Sequence, residues 1–130
     1  MQTIRTFGLS KIDALISEFE SELARVQRDQ GEEPVHKLRV SIRRLQQGLR
    51  VFHQFVDAEA AKEIRGEMRK IMKLAGAVRE RDIGIQLLAK ANLPHDSVQE
   101  ERSVTGRRLE KAVRKLSKDD WRSRLGVDTQ

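Results

Sequence analysis

The hydrophobic pattern divides the chain into four helical segments. Within each segment apolar residues recur at three- and four-residue spacing, which is the period of one helix face. The predicted helices cover residues 10–30, 34–56, 57–93 and 97–117. No segment alternates apolar and polar residues as a strand does, so the sequence predicts an all-α fold, an antiparallel four-helix bundle. We expect a short docked turn around Trp121 in a loosely ordered tail, residues 118–130.

Capping and breaking residues set the predicted boundaries. Ser10 is expected to cap the first helix, and Pro34 to begin the second, where its missing N–H costs nothing. Pro94 ends the third helix, and residues 96–99 resemble a capping box for the fourth. Gly76 is expected to interrupt the third helix or to let a ligand or neighbouring helix approach the backbone.

The second segment is predicted to form a helix with one apolar face and one basic face. Between Pro34 and Asp57 there are five Lys or Arg residues and no Asp or Glu. On a helix its basic and polar side chains fall within roughly 80° of one another, opposite the apolar stripe. Such a face needs anions from another segment or from a polyanionic ligand. The face consists of His36, Arg39, Arg43, Gln47 and Arg50.

The third segment carries a second group of basic residues and one carboxylate in an unusual position. Asp82 lies on the apolar stripe, where a carboxylate must be paired or hydrogen-bonded. We expect Asp82 to form a structural ion pair, either with Arg79 three residues before it or with an Arg of the second helix or His36, whose side chain it would fix. The basic group spans an arc of about 120° and consists of Lys62, Arg65, Arg69, Lys73 and Arg79, with Gly76 among them.

Composition narrows the class of protein. The 130 residues carry a net charge of +6, with −3 over residues 1–33 and +5 over residues 34–56. This length predicts a single domain, residues 1–130. Cysteine is absent and no run approaches the roughly 18 apolar residues of a membrane span, so we expect a cytoplasmic protein without a membrane span. Three scattered histidines and no tight carboxylate cluster predict no metal site and no cofactor.

Two stretches resemble the motifs of the CHAD family, the conserved histidine α-helical domain. Residues 35–45 read VHKLRVSIRRL and are followed by Leu49-Arg50 and Phe52, which resembles the first motif. Residues 68–73 (MRKIMK) and 76–83 (GAVRERDI) are similar to the second motif. The two motifs occur in order and cover residues 35–90, so their joint occurrence is more specific than either motif alone.

The resemblance implies a helical domain that binds inorganic polyphosphate through a basic channel, with some members targeted to storage granules. Gln46 stands where the family usually has Arg, and Glu80 where it usually has Asp. Such domains are commonly twice this length, so the chain corresponds to half a domain, and we expect either a homodimer that rebuilds the missing wall or a shallower site. The residues that the resemblance assigns to polyphosphate are His36, Arg39, Arg43, Arg44, Arg50, Arg69, Lys73 and Arg79.

Four functions remain open at this point. A non-catalytic polyphosphate-binding module needs only convergent cations, and arginine offers planar, bidentate donors to phosphate oxygens. Nucleic-acid binding would be weak and salt-sensitive, because aromatic residues for base stacking are 4% of the chain. A phosphohydrolase is less favoured, because there is no carboxylate set for Mg²⁺ and no Gly-rich phosphate loop. A helical scaffold on storage granules would use the apolar faces instead, and we expect that the chain is not an enzyme.

Overall fold

The computed structural model describes residues 3–127, and within that range the secondary structure is entirely helical. The all-α prediction is therefore confirmed. Four long helices are followed by a short one, and a single turn of 3₁₀-helix, His53–Phe55, links the second helix to the third. The helices are α1 (Ile4–Arg28), α2 (Glu32–Val51), α3 (Ala58–Lys90), α4 (Asp96–Ser117) and α5 (Trp121–Leu125).

The core is built from the apolar stripes of all four long helices. Helix α1 packs against α2 and α4, and α3 packs against α2 and α4. Full burial of a Leu, Ile, Met or Phe side chain contributes about 1.5–3 kcal/mol, so these stripes supply most of the free energy of folding. The largest fully buried side chains are Ile12, Ile16, Phe19, Leu23, Leu38, Ile42, Leu45, Leu49, Ile64, Met68, Ile71 and Leu109.

The predicted start of the first helix is wrong by more than a turn, and the predicted start of the second by two residues. Helix α1 begins at Ile4, because the hydroxyl of Thr3, not that of Ser10, accepts a hydrogen bond from the first turn. Helix α2 begins at Glu32, which places Pro34 at its third residue, still in the turn whose N–H groups have no helical partner. Helix α3 continues without interruption through Gly76.

Residues 121–127 of the C-terminal tail are docked against the long helices. Trp121 is 4% exposed and packs against Phe19 of α1. The Arg122 guanidinium pairs with Asp13 and Glu20, also of α1. The short turn predicted around Trp121 is thus confirmed, and Val127 is buried as well. The last part of the predicted tail, residues 128–130, lies outside the described residues.

The second half of α3 is less covered than its apolar pattern predicts. The predicted stripe is buried up to Val78, but Ile85 is only half-buried and Ala89 is exposed. Leu87, on the same stretch, is 62% exposed. Helix α2 begins at Glu32, whose side chain contacts Gln86 of α3. The residues of α3 beyond Gln86 therefore have no α2 residue opposite them.

Residues of α2 and α3 face one another in opposite order along the chain. Glu32, at the start of α2, accepts a hydrogen bond from Gln86 near the end of α3. Arg50, at the end of α2, lies beside Arg65 and Arg69 in the first half of α3. This register decides which basic side chains of the two motifs meet. None of the helices formed by residues 3–127 is long and apolar enough to cross a membrane.

We predict that Gly8→Ala destabilises the fold whereas Gly66→Ala stabilises it. A Cβ atom at Gly8 would lie 2.7 Å from Cδ2 of Phe55, while a Cβ at Gly66 meets nothing within 4 Å. Overpacking costs about 1–3 kcal/mol, which exceeds the gain of about 0.5–1 kcal/mol from replacing a helical glycine. Urea unfolding followed by circular dichroism measures both changes, and equal stabilisation by the two substitutions would contradict the packing at Gly8.

Candidate functional site

Two cavities lie along the junction of α2 and α3, and most of the predicted basic residues line them or lie between them. We call the cavity near the close of α2 the wide end and the cavity near the start of α2 the narrow end. Arg43 lies on α2 between the two ends. We call the whole feature the α2–α3 groove. It exists because helical spacing places residues 36, 39, 43 and 50 on one side of α2, while the opposite side is held in the core.

The wide end is an open, basic cavity of about 530 Å³. Three guanidiniums enter it from two helices, and no Asp or Glu is among its lining residues. Its floor is formed by the small side chains Ala58 and Ala61 at the start of α3, which leave room between the longer ones. The remaining lining residues are Gln46, Arg50, His53, Arg65 and Arg69.

The narrow end has a different chemical character. Its volume is about 20 Å³, which is room for about one water molecule. His36 and Arg39 of α2 face Arg79 of α3 across it, so the basic residues of the two motifs meet here. The groove is closed on this side by two carboxylates and two apolar side chains: Glu32, Asp82, Val35 and Ile83.

Arg39 is the most constrained cation in the groove. Partial burial lowers the pKa of its guanidinium, and the positive charges of Arg43 and Arg79 lower it further. Its Nε atom is buried and has no hydrogen-bond partner in the part of the chain described. A buried unsatisfied donor costs about 1–3 kcal/mol. An anion placed between Arg39, Arg43 and Arg79 would reduce both the repulsion and this cost.

The cations of the groove form no ion pair within the described part of the chain. Arginines on other surfaces do have carboxylate partners, including Arg44, Arg102, Arg122 and Arg124. Because α2 carries no carboxylate after Glu33, a local excess of positive charge is left at the α2–α3 junction. Within residues 3–127, no ion pair is formed by His36, Arg39, Arg43, Arg50, Arg65, Arg69, Lys73 or Arg79.

Two of the predicted phosphate ligands lie apart from the groove. The Arg44 guanidinium points towards α1, where its Nη1 atom lies 2.9 Å from Oε1 of Glu18. Arg44 follows Arg43 by one residue, and a rotation of about 100° carries it to the other side of α2. Lys73 is exposed on α3 and lines neither end of the groove. The structure thus brings together His36, Arg39, Arg43, Arg50, Arg69 and Arg79, and leaves Arg44 and Lys73 outside.

Asp82 is paired, but the predicted partner was wrong. Its Oδ1 atom accepts a hydrogen bond of 2.8 Å from Nε of Arg102, in α4, and not from Arg79, from an Arg of α2 or from His36. The side chains are 13% and 15% exposed, and Arg102 also donates to the carbonyl of Gln30. Asp82 therefore ties α3 to α4 while one side of its carboxylate borders the narrow end.

Two basic residues that line the wide end, Arg65 and His53, are not among the predicted site residues. Arg65 was recognised as part of the basic arc of α3, but it precedes the second motif. His53, which lines the wide end, was interpreted as structural, and its ring nitrogen Nδ1 does contact the carbonyl of Arg50. The short link between α2 and α3 was the available signal, because a six-residue connection forces the start of α3 to lie beside the end of α2.

Gly76 lies in open space rather than at a helix contact. A Cβ atom placed on it would meet nothing within 4 Å. No neighbouring helix approaches the backbone there, so only the ligand interpretation of Gly76 remains a prediction. In the described part of the chain, no group of three or more His, Cys, Asp or Glu side chains is placed to hold a metal ion.

Comparison with known families agrees with the two motifs. A model of the CHAD domain matches residues 10–127 of the 130-residue chain. The chain therefore belongs to the CHAD family, whose domain is associated in general with polyphosphate-related proteins. Neither a curated protein nor a solved structure gives a significant match.

We predict that Asp82→Ala destabilises the fold by about 2 kcal/mol, because it leaves the largely buried Arg102 guanidinium without its carboxylate. Glu67→Ala is the matched control. It removes a carboxylate from the exposed pair with Lys70, 3.4 Å away, and should change the free energy of unfolding by less than about 0.5 kcal/mol. Urea unfolding measures both. Equal effects would show that the Asp82–Arg102 pair contributes no more than a surface pair.

Proposed function

We propose that the chain binds inorganic polyphosphate, without catalysis, in the α2–α3 groove. The observation that carries the proposal is the convergence of cations from both CHAD motifs on one groove whose wide end has no carboxylate. Each charge-assisted hydrogen bond from an arginine to a phosphate oxygen contributes about 1.5–3 kcal/mol. A linear chain of phosphates matches such a row because it presents anionic oxygens at every repeat. The arrangement that we propose for the helices is the antiparallel four-helix bundle, half of a full-length CHAD domain.

The aromatic residues argue against nucleic acid as the main ligand. Phe19 and Trp121 are in the core, while Phe52 contacts Phe7 and Phe55 at the N-terminal end of α1. No Phe, Tyr or Trp side chain lines either end of the groove, so bases would find no large aromatic ring to stack on there. Contacts to the phosphate backbone alone would give weak, salt-sensitive binding.

The lining residues also favour binding over hydrolysis. The carboxylates that border the groove are Glu32 and Asp82, and Asp82 is already bonded to Arg102. The wide end, which has room for several phosphates, offers guanidiniums, an imidazole and an amide but no carboxylate to hold Mg²⁺ or activate water. We therefore propose a binding module that acts in the cytoplasm.

The central prediction is that Arg43→Ala weakens polyphosphate binding whereas the neighbouring Arg44→Ala does not. Both substitutions remove one positive charge from an exposed position of α2, but only Arg43 faces the groove beside Arg39. We expect at least a tenfold increase in Kd for Arg43→Ala, the equivalent of about 1.4 kcal/mol. Isothermal titration calorimetry at physiological salt measures this effect, and circular dichroism checks that the fold persists.

The same titrations include duplex DNA and triphosphate as competitors at two salt concentrations. Polyphosphate should bind more tightly than either competitor at physiological salt. Equal affinity for DNA, or equal effects of Arg43→Ala and Arg44→Ala, would show that binding arises from general charge attraction and not from a specific groove. Phosphate release that depends on Mg²⁺ would favour an enzyme. Binding to granules that survives Arg43→Ala would favour the scaffold.

We further propose that two copies associate through the uncovered end of α3. Ile83, Leu87 and Leu93 are 42%, 62% and 52% exposed, and Ile83 also borders the narrow end of the groove. A second copy carries the same apolar surface, so a symmetric contact would cover both. Light scattering should give a dimeric mass that becomes monomeric in Leu87→Glu but not in Val51→Glu, a change at another exposed apolar residue. A monomeric mass for the unaltered chain, with full polyphosphate affinity, would contradict the dimer.

A further inference from the structure

We infer that the cations at the opening of the narrow end, Arg39, Arg43 and Arg79, bind the terminal phosphate of a polyphosphate chain, and that the rest of the chain leaves through the wide end. This inference rests on the proposed function and gives it a direction. It would make the protein selective for chain ends over the interior of a chain. Three features of the groove carry it: a closed end, a concentration of cations next to that end, and an open basic exit.

A hydrogen bond between the two helices closes the groove beyond His36. The side-chain amide of Gln86 in α3 donates to the Glu32 carboxylate at the start of α2. The contact therefore spans the α2–α3 junction, and it places a negative charge in the path of a polyanion. Because the narrow end has a volume of only about 20 Å³, a phosphate chain has no passage beneath this contact.

The wall behind Arg79 is fixed as well. Asp82 is held by Arg102, and Arg102 in turn donates to the carbonyl of Gln30, in the turn that precedes α2. Ile83, the next residue, adds an apolar surface that offers a phosphate no donor. A chain lying over Arg39 and Arg79 would meet carboxylates or a hydrocarbon side chain if it continued in this direction.

The cations next to the closed end match a terminal phosphate better than an internal one. Arg39 has Arg43 and Arg79 as its nearest positive neighbours, and its buried Nε still lacks an acceptor. A terminal phosphate has a second ionisation near pH 6 and carries a charge of about −1.5 to −2 at neutral pH. An internal phosphate has a single ionisable oxygen. The most highly charged group of the ligand would thus lie among Arg39, Arg43 and Arg79.

The open end gives the chain its exit. Arg50 follows Arg39 by eleven positions on α2, which is a distance of about 16 Å along the helix. Arg50, Arg65 and Arg69 line a cavity of about 530 Å³ that has no carboxylate at its border. A chain anchored at Arg39 would run past Arg43 into this cavity and out to solvent. Affinity should therefore increase with chain length until the wide end is filled, and then level off.

The test compares polyphosphate of one length with free ends and with both ends capped as phosphoramidates of ethanolamine, which removes the second ionisation of each terminal phosphate. Calorimetric titration of the full chain should give a Kd about tenfold higher for the capped form, since capping removes charge and donor-accessible oxygens from the terminal phosphate. Equal Kd values for free and capped chains would overturn end capture while leaving polyphosphate binding intact. Failure of both forms to bind would overturn the proposed function as well.

Two matched variants separate end capture from the smaller total charge of the capped chain. Arg79→Gln, at the narrow end, should bring the ratio of the two Kd values close to one. Arg65→Gln, at the wide end, should raise both Kd values and leave their ratio unchanged. If the two variants change the ratio equally, the discrimination arises from overall charge and the inference is wrong.

A third variant tests the closed end directly. Glu32→Gln removes the negative charge but keeps a side chain that can still hydrogen-bond Gln86. It should lower the Kd of the capped chain by a few-fold and change that of the free chain less, because an interior segment can then pass the end of the groove. An unchanged ratio of the two Kd values in Glu32→Gln would show that the carboxylate is no barrier.

Discussion

The structure depends on the apolar face of α2, which holds a row of mutually repelling arginines in place. Burial of Leu38, Ile42, Leu45 and Leu49 contributes about 1.5–3 kcal/mol for each side chain. Repulsion between two partly solvated charges about 4 Å apart costs about 1–4 kcal/mol. Packing therefore outweighs repulsion, and the helix can present Arg39, Arg43 and Arg50 without an ion pair to any of them in the described part of the chain. The half-buried Arg39 is the side chain at which this opposition is strongest.

The carboxylates of the protein are placed so that they leave the groove positive. Helix α1 carries several acids, but Glu18 pairs with Arg44 on the far side of α2, and Glu20 pairs with Arg122 in the tail. Asp82 borders the narrow end of the groove together with Arg79, and Arg102 holds it. The excess of positive charge is thus produced as much by where the acids are fixed as by where the arginines lie. A net charge of +6 spread evenly would not have this effect.

Periodicity was sufficient to predict the helices and most of the core, because burial follows the same spacing that defines a helix face. Periodicity did not predict burial correctly where the burial of a residue depends on how far the neighbouring helix extends. Ala89 has the apolar character of a core residue, yet it is exposed because α2 begins opposite Gln86. It also failed for Asp82, since a position on a stripe shows that a partner is needed but not which helix supplies it. That partner, Arg102, lies twenty residues away in a segment with no motif.

The candidate site shows the same limit at a finer scale. The two motifs name the basic residues, but the register between α2 and α3 decides which of them face one another, and register is a tertiary property. A shift of one helical turn, about 5.4 Å, would move Glu32 away from Gln86 and take its carboxylate from the end of the groove. Other basic residues of the two helices would then face one another. In the end capture that we propose, the contact between Glu32 and Gln86 therefore decides whether the motifs form a channel or a pocket for a chain end.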